Sequence, residues 1–164
     1  MTKRKIRALA VLAMLTALEI VLSRFLSISL PTVKIGFSFL AVAFAAREYG
    51  PWGGVAVAAA GDFVGAHLFP IGPYFVGFTV TAALCGLLYG RFSRSMGFWD
   101  ILVVEVINNF ILGGILNSIW ISVLYDKALL ALIPVRMLQA TVMTVVGVLT
   151  LMLMKRYIPH INKQ

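Results

Sequence analysis

The sequence predicts an all-α membrane protein, a bundle of six transmembrane helices in one domain (residues 1–164) with the amino and carboxyl termini cytoplasmic. Hydrophobic residues make up 61% of the chain and charged residues 12%, and the mean hydropathy is +0.98. That composition is too apolar for a protein of this size whose whole surface faces water. The long runs at 6–22 and 140–154 are apolar on every side, which favours helices over the alternating strands of a membrane barrel.

Charges and Pro or Gly breaks bound the spans. A basic cluster precedes the first span, but Glu19 and Arg24 follow without a small-residue cleavage site, so we expect the segment to be retained. The apolar part of the second span, 35–46, would rise only about 18 Å against a hydrocarbon core of roughly 30 Å, so it needs neighbouring helices to span. The predicted spans are 6–22, 33–46, 50–68, 74–89, 99–124 and 129–154.

Basic residues predict the orientation because Lys and Arg near span ends are retained on the cytoplasmic side. With the amino terminus inside, the inner segments hold Lys3, Arg4, Lys5, Arg7, Arg47, Arg91, Arg94, Lys155, Arg156 and Lys163. The outer segments hold Arg24, Lys34, Lys127 and Arg136. The net charge of +8 is therefore interpreted as a topology signal, and no nucleic-acid partner is expected.

Three ionisable residues at membrane depth or at the outer ends of helices are candidate ligand contacts, because such groups usually face a protein interior or a cavity. Asp62 lies in the segment GDFVG, within a span made mostly of Ala, Val and Gly, where it could contact a ligand or pair with an arginine. Arg136 and Arg24 lie on the outer side. Each could bind a carboxylate through its guanidinium fork or extend to lipid phosphate.

A polar stripe follows the fifth span, where Glu105, Asn109, Gly113, Asn117 and Trp120 recur at helical spacing. This face meets either protein or ligand, since membrane asparagines often hydrogen-bond between helices. Asn117 and Trp120 lie at the outer end, which favours a ligand there.

An outer loop before the fourth span is rich in aromatic residues and stiffened by Pro and Gly. Aromatic side chains at this level often anchor a protein in the membrane interface. The same loop is suited to cover a flat ring, with Tyr74, Phe75, Phe78 and Thr79 as the candidate contacts.

The sequence indicates no enzyme. It lacks a nucleotide-binding lysine loop, a Gly-x-Ser-x-Gly elbow and paired metal ligands, since His67 and His160 lie far apart and Cys85 is the only cysteine. No catalytic residue, metal or cofactor is expected, and energy for any transport must come from a partner. Ala10, Ala13 and Ala17 form a small-residue stripe on the first helix that predicts close approach of a partner helix or tight internal packing.

The chain resembles the substrate-binding S components of energy-coupling factor (ECF) vitamin transporters, and their folate-specific branch fits best. The similar segments cover most of the chain in order. They are LSRFLSISLP (22–31), KIGFSFL (34–40), EYGPWGG (48–54), GDFVGAHLFPIGPYFVGFTVTAALCGLLYG (61–90) and NSIWISVLYDKALLALIPVRMLQ (117–139).

The resemblance implies a bacterial inner-membrane subunit that captures folate outside. It would associate with a transmembrane coupling subunit and two cytoplasmic ATPase subunits, which use the ATP, and would topple in the bilayer to release the vitamin. Ala13 and Ala17 match the family motif that meets the coupling subunit, and Ala10 extends it.

Folate chemistry suggests roles for the candidates. Asp62 and Asn117 would read the pterin edge, Tyr74, Phe75, Phe78 and Trp120 would enclose it, and Arg24 and Arg136 would bind the glutamate tail. The same residues would also fit a ligand bound in the opposite direction. The alternatives are an S component for thiamin, biotin or a queuosine precursor, a ligand-free membrane assembly subunit and, more remotely, a channel or membrane enzyme.

Overall fold

The computed structural model describes residues 3–29, 34–92, 97–126 and 128–157. Apart from loops and one pair of two-residue strands, these residues are helical, which confirms the all-α class. The elements are α1 (Lys3–Arg24), β1 (Ile28–Ser29), β2 (Lys34–Ile35), α2 (Phe39–Leu68), α3 (Val76–Phe92), α4 (Phe98–Val106), a π-helix (Ile107–Leu116), α5 (Asn117–Tyr125) and α6 (Leu129–Tyr157). The strands are antiparallel, with Ile28 opposite Ile35.

Helix α2 bends sharply at Gly50, whose φ of 74° and ψ of −171° are not helical. Glycine adopts a positive φ readily, and the following Pro51 lacks the N–H that a continuing helix would need. A Cβ added at Gly54 would meet the Ala46 Cβ at 2.8 Å. A straight helix would separate those residues by about 12 Å, so the two halves of α2 fold back against each other.

Helices α4 and α5 are joined without a break through the π-helix, and the three together cover Phe98–Tyr125. At its end the Asn117 N–H donates to the Leu112 carbonyl, five residues earlier. Widened helical turns of this kind are rare and are frequently found at functional sites. Here the π-helix places Asn108, Asn109 and Gly113 on the inner side of the bundle.

The apolar helices suit a lipid environment. Three described stretches are long and apolar enough to cross a membrane, namely Lys3–Arg24, Phe98–Tyr125 and Leu129–Tyr157, and Val76–Arg91 is a shorter apolar helix. Large apolar side chains are left on the surface, among them Leu130, which is 81% exposed. Such a surface is favourable against lipid tails and unfavourable against water.

Small residues let the helices pack closely around the core. Ala43, Ala45 and Ala46 are buried in the first half of α2, and Gly54 touches Gly86 of α3 backbone to backbone. Close approach through Gly and Ala is the usual packing mode in membranes, where burial from water does not drive helices together. The apolar core therefore joins α1, α2 and α3 to α4 and α6, and a polar cavity lies among the same helices.

Five of the six predicted spans lie almost entirely within helices of the structure, and the fifth, 99–124, matches the continuous α4 to α5 stretch. The second, 33–46, was expected to begin earlier than the helix does. Its first part pairs as β2, and α2 begins only at Phe39, so the helical part before Gly50 is short. Among the basic residues counted for the predicted orientation, Arg94, Lys127 and Lys163 lie outside the described residues.

Candidate functional site

A cavity of about 260 Å³ lies among α1, α2, α3, the α4 to α5 stretch and α6. Its volume is slightly below the roughly 300–1,000 Å³ that small-molecule sites span. Apolar and small residues form part of the wall, including Val42, Ala58 and Ala82. The polar lining residues are Glu19, Ser38, Tyr89, Glu105, Asn108, Asn109, Asn117, Arg136 and Gln139.

Two carboxylates of this lining are buried, Glu105 with 2% and Glu19 with 7% of its surface exposed. Each lies against a glycine. A Cβ at Gly147 would overlap the Glu105 carboxylate, and a Cβ at Gly61 would overlap that of Glu19. Glycine at these two positions thus makes room for a buried acid, which is costly in an apolar bundle and makes both acids candidates for the functional site.

Glu105 is held by two neutral donors. The Tyr89 hydroxyl donates to Oε1 at 2.6 Å, and the Asn109 side-chain amide donates to Oε2 at 2.9 Å. The same Asn109 nitrogen also donates to the Glu105 backbone carbonyl at 2.9 Å. Because α3 and the π-helix each supply one donor, the carboxylate is fixed in position.

Arg136 reaches into the bundle from α6. It is 8% exposed, and its Nη1 donates to the Gly113 carbonyl of the π-helix at 3.1 Å. Arg136 Nε is buried and has no hydrogen-bond partner among the described residues, and the same is true of Asn117 Oδ1. Buried polar atoms are normally paired, so these two are open for a ligand.

A second polar cluster ties together α1, α2 and α3. Arg24 Nη2 lies 3.7 Å from Asp62 Oδ1 and donates to the Asp62 carbonyl at 3.4 Å. The Thr79 hydroxyl donates to Asp62 Oδ2 at 2.7 Å, and Tyr74 hydrogen-bonds Thr79 at 3.0 Å. Asp62 and Thr79 are about one helical turn from the cavity residues Ala58 and Ala82, a distance of roughly 4.5–6 Å along the helices.

The aromatic residues form a third cluster beside the second. The Phe75 ring centroid lies 5.6 Å from Trp120 and 6.1 Å from Phe78. Trp120 Nε1 donates to the Thr81 hydroxyl at 3.1 Å, which fixes the indole between α5 and α3. These are usual distances for interacting aromatic rings.

The nine predicted ligand residues are therefore divided among three places. Asn117 and Arg136 line the cavity, Arg24, Asp62, Tyr74 and Thr79 form the polar cluster, and Phe75, Phe78 and Trp120 form the aromatic cluster. The pairing of Asp62 with an arginine, one of its two expected roles, is present in the structure.

The site prediction omitted cavity residues whose signals are visible in the sequence. Glu105 and Asn109 belong to the predicted polar stripe, and Glu19 is an acid in an otherwise apolar helix. Asn108 neighbours that stripe, and Gln139 follows Arg136 by one turn of α6. Ranking every ionisable or amide side chain at membrane depth would have found all five.

The predicted partner surface on α1 faces outward, since Ala10, Ala13 and Ala17 are all exposed. An exposed small-residue stripe leaves room for another helix to approach. Among the described residues, no group of three or more His, Cys, Asp or Glu is arranged to hold a metal.

Comparisons with known proteins agree on the family. Residues 7–156 match the model for the substrate-specific component of ECF transporters. The folate transporter FolT of Clostridium novyi (strain NT) is 33% identical over 142 residues, covering 85% of this chain and 83% of the relative. FolT of Leuconostoc mesenteroides is 33% identical over 168 aligned positions, covering 96% of this chain and 90% of the relative.

Solved structures show the same fold. A crystal structure of FolT bound with folic acid superposes with a TM-score of 0.87 at 27% identity, covering 96% of each chain. The S component for biotin superposes with a TM-score of 0.72 at 19% identity, covering 95% of this chain and 93% of that one, which shows likeness of fold alone. The chain therefore belongs to the family of substrate-specific components of ECF transporters.

Proposed function

We propose that this protein is the folate-binding subunit of an ECF-type importer and captures folate on the outer side of a bacterial inner membrane. Two curated relatives at 33% identity are folate transporters, and a structure of FolT bound with folic acid has nearly the same fold. The alignments cover 85% and 96% of this chain.

The observation that best supports this proposal is the polar cavity with open hydrogen-bonding atoms. Arg136 Nε and Asn117 Oδ1 are buried in its wall without partners among the described residues. Leaving a buried polar group unpaired costs about 1–3 kcal/mol, so a ligand that pairs with both atoms regains that energy on binding. Folate has suitable groups, namely an anionic tail for the guanidinium and N–H donors for the amide oxygen.

Arg24 is proposed as a second cation for the tail. Its Nε is buried without a partner among the described residues, although its Nη2 contacts Asp62. Asp62 already accepts from Thr79 and pairs with Arg24, so we assign it to positioning that arginine rather than to reading the pterin edge. Tyr74 and Thr79 then extend the same network at the outer mouth of the cavity.

The aromatic cluster supplies apolar contact for the flat parts of the ligand. Trp120 lies one turn beyond Asn117 and its ring is tilted against that of Phe75, so a ring leaving the cavity would meet both side chains. Aromatic pairs of this kind contribute about 0.5–1.5 kcal/mol beyond simple burial. Phe78, in the first turn of α3, packs against Phe75 in the same cluster.

The transport cycle is proposed to depend on partners. Counting the halves of α2 separately, the described helices divide into six segments, which fits six spans with both termini inside. The exposed alanine stripe of α1 is the proposed contact with a transmembrane coupling subunit, which would join this chain to two cytoplasmic ATPase subunits. The chain itself is proposed to bind no cofactor.

Fluorescence titration of the detergent-purified protein tests folate binding. A version that retains only Trp120 would report on the aromatic cluster. A matched version that retains only Trp99, which is 72% exposed, would report on nonspecific quenching. We expect saturable quenching by folic acid in the Trp120 version alone, and none by thiamin or biotin.

The only cysteine provides an independent measurement. Cys85 lines the cavity, so bound folic acid should slow its reaction with a small methanethiosulfonate reagent. Protection by thiamin, biotin or a queuosine precursor instead would assign the chain to another vitamin. If no vitamin protects Cys85 or quenches Trp120, the ligand-free assembly subunit becomes the favoured alternative.

A further inference from the structure

We infer that Glu105 is a specificity-determining residue that binds the N–H edge of the ligand's heterocycle, so that the ring enters the cavity first and the anionic tail points outward. This inference rests on the proposed function and deepens it. It concerns a residue that was omitted from the predicted ligand contacts, and it decides between the two ligand directions that the sequence left open.

The surrounding residues hold the Glu105 carboxylate in position as a hydrogen-bond acceptor. It is buried, it lines the cavity, and its two oxygens accept from Tyr89 and Asn109. A carboxylate has about four lone-pair positions, so two remain available. Gly147 leaves the space that the carboxylate occupies, and a Cβ there would displace it.

No cation balances this acid among the described residues. Both of its donors are neutral, and no ion pair to Glu105 is present in the described part of the chain. A buried carboxylate without a cation is stabilised strongly by donors that deliver two N–H groups together. An exocyclic amine beside a ring N–H, as on the 2-amino-4-oxo edge of a pterin, presents that fork.

The two ends of the cavity differ in charge. Glu105 and Asn117 both line it and lie twelve residues apart on one continuous helix, so the cavity extends up to roughly 18 Å along that helix. Arg136 is bonded to Gly113, which is four residues from Asn117 and eight from Glu105. The cavity therefore has an acceptor end at Glu105 and a cationic end nearer Asn117.

A folate molecule matches this polarity in one direction only. Its N–H fork fits the acceptor end, and its tail carboxylates fit Arg136 and, farther out, Arg24. The reverse direction would place the tail anions against Glu105. Glu19 is a second acid in the lining, but its carboxylate lies against Gly61 of α2, and among the described residues its helix α1 does not pack against the π-helix.

Fragment binding tests the inference. The probes are folic acid, pterin-6-carboxylic acid as the ring fragment, and p-aminobenzoylglutamate as the tail fragment. Glu105→Gln keeps the shape and removes the charge, and Asp100→Asn makes the same change on the same helix outside the cavity lining. We expect Glu105→Gln to weaken the ring fragment and folic acid at least tenfold, with the tail fragment and the Asp100→Asn protein unchanged.

Tyr89→Phe is a second variant that keeps the inference testable if Glu105→Gln does not fold. Tyr89 acts as a positioning residue because its hydroxyl holds Glu105 Oε1. Its loss should weaken the ring fragment several-fold and leave the tail fragment unchanged. Where Glu105→Gln folds, the double variant should bind the ring fragment as Glu105→Gln alone does. A purely structural role would give additive losses for both fragments.

The outcomes separate the two proposals. Folic acid binding that is unchanged in Glu105→Gln would overturn this inference and leave the proposed function intact. A loss confined to the tail fragment in Glu105→Gln, or a ring-fragment loss in Glu19→Gln alone, would also overturn it. If the wild-type protein binds no folic acid, the proposed function fails and this inference fails with it.

Discussion

Arg136→Gln should weaken folic acid binding strongly while changing the stability of the free protein little. A hydrogen bond to a charged group contributes about 1.5–3 kcal/mol, and each 1.4 kcal/mol is tenfold in affinity, so the expected loss is about 10- to 150-fold. The free protein also loses the bond from Nη1 to the Gly113 carbonyl. The variant also avoids the free-energy cost of burying the Arg136 guanidinium, which is 8% exposed, and this offsets the lost hydrogen bond.

Isothermal titration calorimetry of the purified variants would measure the change in Kd, and thermal unfolding would measure the change in stability. Arg91→Gln is the matched control, because Arg91 is exposed in the last turn of α3. This variant should bind folic acid as the wild type does. We expect the melting temperature of Arg136→Gln to change by no more than about 4 °C. Affinity within twofold of the wild type in a folded variant would refute the placement of Arg136 in the ligand site.

Three further predictions concern the polar cluster, the aromatic cluster and α1. Asp62→Asn removes the ion pair to Arg24 and should lower the free energy of unfolding by about 1–2 kcal/mol, measured by thermal unfolding. Its loss of folic acid affinity should be smaller than that of Arg136→Gln, and a larger loss would contradict the positioning role of Asp62. Gly77→Ala places a Cβ 2.7 Å from the Trp120 ring and should shift its emission in the single-tryptophan protein, and an unchanged spectrum would count against this packing. Ala13→Trp should bind folic acid normally but stop uptake by the complete transporter in vesicles, and normal uptake would exclude α1 as the partner surface.

The helical part of the fold was predictable because membrane helices follow from composition and run length. Apolar segments separated by charges or by Pro and Gly predicted helices close to their observed bounds. The sequence also contained the break in α2, since Gly50 and Pro51 separate two apolar runs. It did not predict the pairing of β1 with β2, because a two-residue strand has no periodicity to detect.

The site was predictable only in part. Asn117 and Arg136 were identified because a polar side chain in an apolar helix is conspicuous in one dimension, and both line the cavity. Asp62 was equally conspicuous, but its contacts depend on Arg24, 38 residues earlier, and on Thr79, 17 residues later. No local pattern distinguishes an acid that faces a cavity from one that pairs with a distant arginine.

By itself, the sequence determined the lipid environment, the order of the helices and the set of polar residues that the helices bury, because these follow from hydropathy and local charge. Only the tertiary structure decided which of those residues meet. It brought Glu105 beside Tyr89 and over Gly147, and it directed Arg136 to the π-helix. Such contacts join residues far apart in the chain, and their geometry depends on how closely the small residues of neighbouring helices let the backbones approach.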